Sequence, residues 1–265
     1  MNGPGDGRSL STASTLQPSV AAGPGEAGGD TLLVLVHGWL LSGRLWQPVI
    51  EPLSRHRRVW APDLPGCGTA PRPAGLQPTL AAYGHWLAAE SRRRAAGAPI
   101  VLMGHSLGGS IALHAARDLG PQLAGMVQLA AGGGVYQPRP FRILRRAGRW
   151  AVLVRPTSLG RWPALDGVAG PLATERRTAM GLLLSSTTER AVRQLPELVG
   201  ALTVPSLWIC GSRDRVMDPR YVRHLAGYAP GHALHVLEGA GHLPLRRSGP
   251  ELVAVIQDWL AGLGL

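Results

Sequence analysis

The sequence predicts an α/β fold: a mostly parallel sheet of about six strands, with helices on both faces. Three observations predict it. Short apolar runs alternate with helical patterns along the chain. Those runs are mostly continuous, as strands buried on both faces must be. The chain has 265 residues, 45% of them apolar, enough for one sizeable core.

Residues 1–30 are rich in Gly, Pro, Ser, Thr and Ala, and read as a tail without structure. The first strand is the run Leu32-Leu33-Val34-Leu35-Val36. Further strands are expected at 59–63, 99–104, 123–131, 205–211 and 233–238. A helix at 43–55 is weakened by Pro48 and Pro52. The helix at 79–96 has Thr79 as N-cap and Gly97-Ala98-Pro99 as its stop. Others are expected at 106–119, 219–228 and 249–263. From about 136 to about 201 no strand pattern occurs. Such an insertion between two strands reads as a helical lid above the sheet. The chain is thus a tail, 1–30, and one domain, 31–265, with a cap at about 136–201.

Composition excludes several classes. No apolar run reaches the eighteen residues of a membrane-spanning helix. The first thirty residues lack the apolar stretch of a secretory signal and carry Asp6, Glu26 and Asp30, so the expected address is the cytoplasm. Cys67 and Cys210 form no metal or disulfide framework, and no metal or cofactor is expected.

The strand at 99–104 runs into Gly104-His105-Ser106-Leu107-Gly108 and then a helix. A G-x-S-x-G in that context puts the serine hydroxyl on a sharp turn at the carboxyl end of the sheet. Ser106 is therefore the expected nucleophile. The Leu107 N–H lies at a helix N-terminus, where it favours a developing oxyanion. After the first strand, His37-Gly38-Trp39 offers the Trp39 N–H as a second oxyanion donor. His37 itself reads as a buried ring ordering this loop.

A serine nucleophile needs a base, and the base needs a carboxylate. Of nine histidines, His242 follows the last strand, at the carboxyl edge that Ser106 occupies. Asp214 follows the fifth strand and is the expected acid. Asp218 competes, although Asp218-Pro219 also reads as a helix N-cap with proline at the first position. The chain order Ser106, Asp214, His242 is one in which such triads occur.

Five blocks carry a family resemblance: His37-Gly38-Trp39, Asp63-Leu64-Pro65-Gly66-Cys67-Gly68, Gly104 to Gly109, Gly211 to Asp214, and Gly239 to His242. In these the chain resembles the α/β-hydrolase superfamily, in its carboxylesterase-like serine hydrolase branch. The resemblance implies an α/β-hydrolase fold, and treats residues 63–68 as a structural turn. It also implies acyl transfer to serine, because dehalogenase and epoxide hydrolase relatives carry Asp at the nucleophile position.

The net charge is +11, and all 27 basic residues are Arg. Seven lie in the insertion without an acid between them: Arg139, Arg142, Arg145, Arg146, Arg149, Arg155 and Arg161. Apolar residues interleave, from Phe141 to Val154. This pattern fits either an Arg face whose stems pack on the domain, or a surface that docks on an anionic membrane or acidic substrate. Nucleic acid is not expected as a partner, since no binding motif occurs and one Phe and four Tyr offer few stacking platforms. The expected activity is hydrolysis of a small, apolar ester through an acyl-enzyme. A thioesterase, a carbon–carbon bond hydrolase and a slow-turnover binding protein of the same fold are the alternatives.

Overall fold

The computed structural model describes residues 20–22, 31–132, 138–154, 174–246 and 248–265; side chains are described for all of these except 20–22, 138–141 and 246. Six parallel strands form the sheet: β2 (Leu32–Val36), β3 (Arg58–Ala61), β4 (Ile100–His105), β5 (Leu123–Leu129), β6 (Ser206–Gly211) and β7 (His232–Leu237). Their spatial order is β3-β2-β4-β5-β6-β7. A seventh strand, β1 (Val20–Ala22), pairs antiparallel with β3 at the edge. It corrects the expectation that nothing before residue 31 is a strand. The rest of that segment lies outside the described residues.

Alternate residues of each strand enter different cores. Leu32, Val34 and Val36 of β2 lie in the core that also takes in α2 (Leu80–Ala95), α3 (Leu107–Leu119), α6 (Glu189–Gly200) and α7 (Pro219–Ala226). Leu33 and Leu35 pack on the other face with α1 (Gln47–Ser54) and α8 (Gly249–Gly262). Burial on both faces is what a parallel sheet requires, and it explains the continuous apolar runs. Helix boundaries follow local chemistry. The Thr79 hydroxyl accepts from the Ala82 N–H, and Ala96 ends α2 in the left-handed region. Residues 43–46 form a 3-10 turn before α1, whose Pro48 falls in its first turn.

Between β5 and β6 lie α4 (Pro138–Val154), α5 (Arg176–Ser186) and α6. The segment read from sequence as a cap holds these three helices among the described residues. Residues 133–137 and 155–173, with Arg155 and Arg161, lie outside them. Helix α5 is bolted to the loop after β3. Arg72 makes a two-pronged ion pair with Glu175 (2.9 and 3.2 Å), the Glu175 N–H donates to Gly66 O (2.7 Å), and the Leu80 N–H donates to the Ser185 hydroxyl (3.0 Å). Helix α4 rests on α5 through Gly148 and Val152. A Cβ at 148 would stand 2.9 Å from Leu183 and 3.2 Å from the Trp39 ring.

Candidate active site

Strand order reverses direction around β2, so β2 and β4 leave a crevice at their carboxyl ends. Ser106 follows β4 there, at φ 54° and ψ −121°. A non-glycine residue in that region is strained, and the strain persists because the turn is over-determined. The Ser106 N–H donates to Leu129 O (3.0 Å), and Ser106 O accepts from the Gly109 N–H (3.0 Å). A Cβ at 104 would stand 2.4 Å from Gly109 Cα, so strand and helix can cross only if 104 is glycine.

The loop expected to supply an oxyanion donor approaches from β2. A Cβ at 38 would stand 3.2 Å from Ser106 Cβ, so glycine is what lets this backbone lie against the serine. The next N–H is that of Trp39. Among the described residues, neither the Trp39 N–H nor the Leu107 N–H is spent on another acceptor. His37 orders the loop from below. Its Nδ1 donates to Gly38 O (2.8 Å), and its Nε2 accepts from the Leu64 N–H (2.9 Å). Burial lowers its pKa, which keeps the ring neutral, as that pairing needs. Asp63 holds the neighbouring turn, accepting from the N–H groups of Gly43 (2.7 Å) and Thr69 (2.9 Å).

The loops that carry His242 and Asp214 are tied to each other. The Arg213 N–H donates to Ala240 O (2.9 Å), and the Gly239 N–H to the Ser212 hydroxyl (2.8 Å). His242 Nδ1 donates to Asp214 Oδ2 at 2.9 Å, and the Ser106 hydroxyl donates to His242 Nε2 at 3.1 Å. The other Asp214 oxygen accepts from the Val216 and Met217 N–H groups (2.8 and 2.9 Å). Its carboxylate is buried, and these bonds compensate its lost hydration. Asp218 is elsewhere, capping α7 at the Arg220 N–H and pairing with the Arg220 side chain. The structure thus brings Ser106, His242 and Asp214 into one hydrogen-bonded line and leaves Asp218 outside it.

Sequence reasoning missed two features here. The Trp39 indole donates to Ala179 O (2.8 Å), so the loop after β2 is also joined to α5. His105 is fully buried, with its Nε2 2.8 Å from His242 O. No local pattern marks either contact, since the partners lie 140 and 137 residues away. Both cysteines are buried, and neither is in a disulfide. Among the described residues, no group of three His, Cys, Asp or Glu side chains is placed to hold a metal ion.

Burial pushes the His105 imidazole down to about 4 from its ordinary 6.5. A ring lowered in the folded state contributes its full stability above the unfolded value. As pH falls from 6.5 towards 4, the unfolded chain takes up a proton that the folded chain refuses, and stability drops by roughly 3 kcal/mol. His37 acts in the same direction. Melting temperature should therefore fall between about pH 7 and about pH 4.5, and fall less in His105→Gln. An unchanged difference in that variant would mean that His105 is not the group refusing the proton.

These features define a serine-bearing strand-to-helix turn on an α/β sheet. The chain belongs to the alpha/beta hydrolase family, which it matches over residues 33–255. Among its curated relatives is a pimeloyl-[acyl-carrier protein] methyl ester esterase of Xylella fastidiosa (strain M12). It is 30% identical over 261 aligned residues, covering 87% of this chain and 95% of that protein. The protein of the same description from Stenotrophomonas maltophilia (strain K279a) is 32% identical, covering 87% and 93%. Solved structures share the fold. A thermophilic esterase from Thermogutta terrifontis superposes with a TM-score of 0.73 at 24% identity, covering 89% of this chain and 92% of that one. A bromoperoxidase from Bacillus anthracis reaches 0.75 at 14%, covering 91% and 94%. The chain is an ester hydrolase of the esterase branch.

Proposed function

We propose that Ser106, His242 and Asp214 hydrolyse a methyl ester on an acyl chain borne by a carrier protein. The hydrogen-bonded line from Asp214 through His242 to Ser106 carries the chemical part of this reading. The Ser106 oxygen attacks the ester carbonyl carbon while His242 Nε2 takes its proton. The N–H groups of Trp39 and Leu107 receive the oxyanion. Collapse breaks the bond to the alkoxy oxygen, which leaves as alcohol with the proton from His242. Water then attacks the acyl-enzyme, His242 takes a proton from it, and returning that proton to Ser106 frees the carboxylic acid. Asp214 holds the His242 tautomer and faces the imidazolium that forms.

The relatives' descriptions and helix α4 support the carrier. Among its described side chains, α4 carries no acid, and Arg142, Arg146 and Arg149 are exposed. Beside them runs an apolar stripe, also turned to solvent: Ile143, Trp150 and Val154, at 68%, 69% and 52% exposure. Arg142, Arg146 and Arg149 point away from the domain; Gly148 and Val152 are the buried side. An exposed basic row beside an apolar stripe fits an acidic protein surface, and also an anionic bilayer. Among the described residues no helix is long and apolar enough to cross a membrane.

The test compares a carrier-linked acyl methyl ester with the same free ester. kcat/KM should be higher for the linked ester, by about tenfold or more at low salt. The advantage should shrink as salt rises, and in Arg142→Ala/Arg146→Ala/Arg149→Ala. Methanol release identifies the ester, whereas release of the carrier thiol would make the chain a thioesterase. Equal kcat/KM for both esters would remove the carrier. Salt-sensitive sedimentation with phosphatidylglycerol vesicles would then assign α4 to a membrane.

A further inference from the structure

We propose that His105 is a positioning residue for the base: by holding the backbone carbonyl of His242, it fixes where that ring meets Ser106. The inference rests on the triad reading above and adds a residue that reading does not use.

A carbonyl oxygen only accepts, so the His105 Nε2 that lies 2.8 Å from His242 O carries the hydrogen. Among the described residues this is the one hydrogen bond made by the backbone of His242 itself. The ties between the base and acid loops end at Ala240, and Asp214 grips only the ring. His242 is thus fixed at two points, its ring by Asp214 and its main chain by His105. Removing either leaves the side chain free to turn away from Ser106.

With Nε2 protonated, Nδ1 of His105 is the bare nitrogen. It is buried and has no partner among the described residues. The Gly38 backbone lies against it, so close that a Cβ at 38 would stand 2.9 Å away. One ring therefore touches the base loop and the oxyanion loop while its own backbone leads into Ser106. Its neutrality also matters. The ring centroids of His105 and His242 are 5.1 Å apart, and a charge on His105 would oppose the imidazolium that His242 becomes. Burial holds His105 neutral.

Three variants test this. His105→Leu keeps bulk but loses the donor. His105→Asn places its amide nearer the Nδ1 position and cannot reach His242 O. His105→Gln can place an amide N–H where Nε2 stands. Rates are taken per serine labelled by a fluorophosphonate, so misfolded protein does not count. Leu and Asn should lower kcat by about 10²-fold with KM within about twofold, and Gln should recover about tenfold of that loss. In proton NMR, the downfield resonance of the His242 Nδ1–H bound to Asp214 should stay sharp in Gln and broaden or vanish in Asn and Leu. Wild-type kcat per labelled site in Asn or Leu, or equal losses in Asn and Gln, would overturn the proposal. Failure of the triad reading looks different: the wild type would not label, or Ser106→Ala would keep its turnover.

Discussion

Ser106→Ala should lower kcat for ester hydrolysis by about 10⁵- to 10⁶-fold, with the protein still folded. The loss is large because, in the proposed mechanism, the hydroxyl oxygen forms the acyl bond, and nothing in the line from Asp214 to His242 replaces it. The change is small structurally. Alanine removes one oxygen from a half-buried side chain and keeps the Cβ that lies against the Gly38 backbone. Helix α3 and the strand crossing at Gly104 stay as they are. The Trp39 and Leu107 N–H groups still face the carbonyl, so a residual rate of about 10³-fold over water should survive. Intact-mass labelling with a fluorophosphonate gives the independent readout: one adduct on wild type and none on the variant. Turnover retained by the alanine variant would mean that His242 activates water directly, and that no acyl-enzyme forms.

The inner strands were legible because burial on both faces leaves few polar positions in them, whereas β7 is only partly buried and holds His232 and His235. β2 reads as five apolar residues in a row, and Gly-Pro punctuation marks where helices end. The edge strand Val20–Ala22 was not legible. Its three residues make no pattern, and only pairing with β3 defines it. The candidate site was legible as far as its residues sit at strand ends, which is why positions 39, 106, 107, 214 and 242 could be named in advance. The contacts between them were not. Whether Asp214 or Asp218 faces His242 depends on how the chain leaves β6, and the two differ by one turn. The outward face of α4 was hidden for a related reason. A helix mixing Arg and apolar residues has two faces, and only Gly148 and Val152 against α5 show which is turned in. The Arg72–Glu175 pair joins residues 103 apart, beyond any local signal.

The contrast between Asp214→Asn and Asp218→Asn tests the acid. Asp214→Asn should lower kcat by about 10⁴-fold, because it selects the wrong tautomer of the base. The asparagine carbonyl oxygen can take over the Val216 and Met217 N–H groups, which keeps the loop in place. Its amide nitrogen then faces His242 Nδ1, and an N–H there must donate. Nδ1 becomes an acceptor, Nε2 carries the proton, and no lone pair remains to take the proton of Ser106. The loss therefore follows from proton direction and not from unfolding, so melting temperature should move far less than the rate. Asp218→Asn should keep kcat within about twofold. Asparagine caps a helix about as well as aspartate, so α7 keeps its N-terminus, and the exposed pair with Arg220 contributes little. The reverse pattern, with Asp218→Asn inactive and Asp214→Asn near wild type, would mean that the base turns to a different carboxylate when substrate binds.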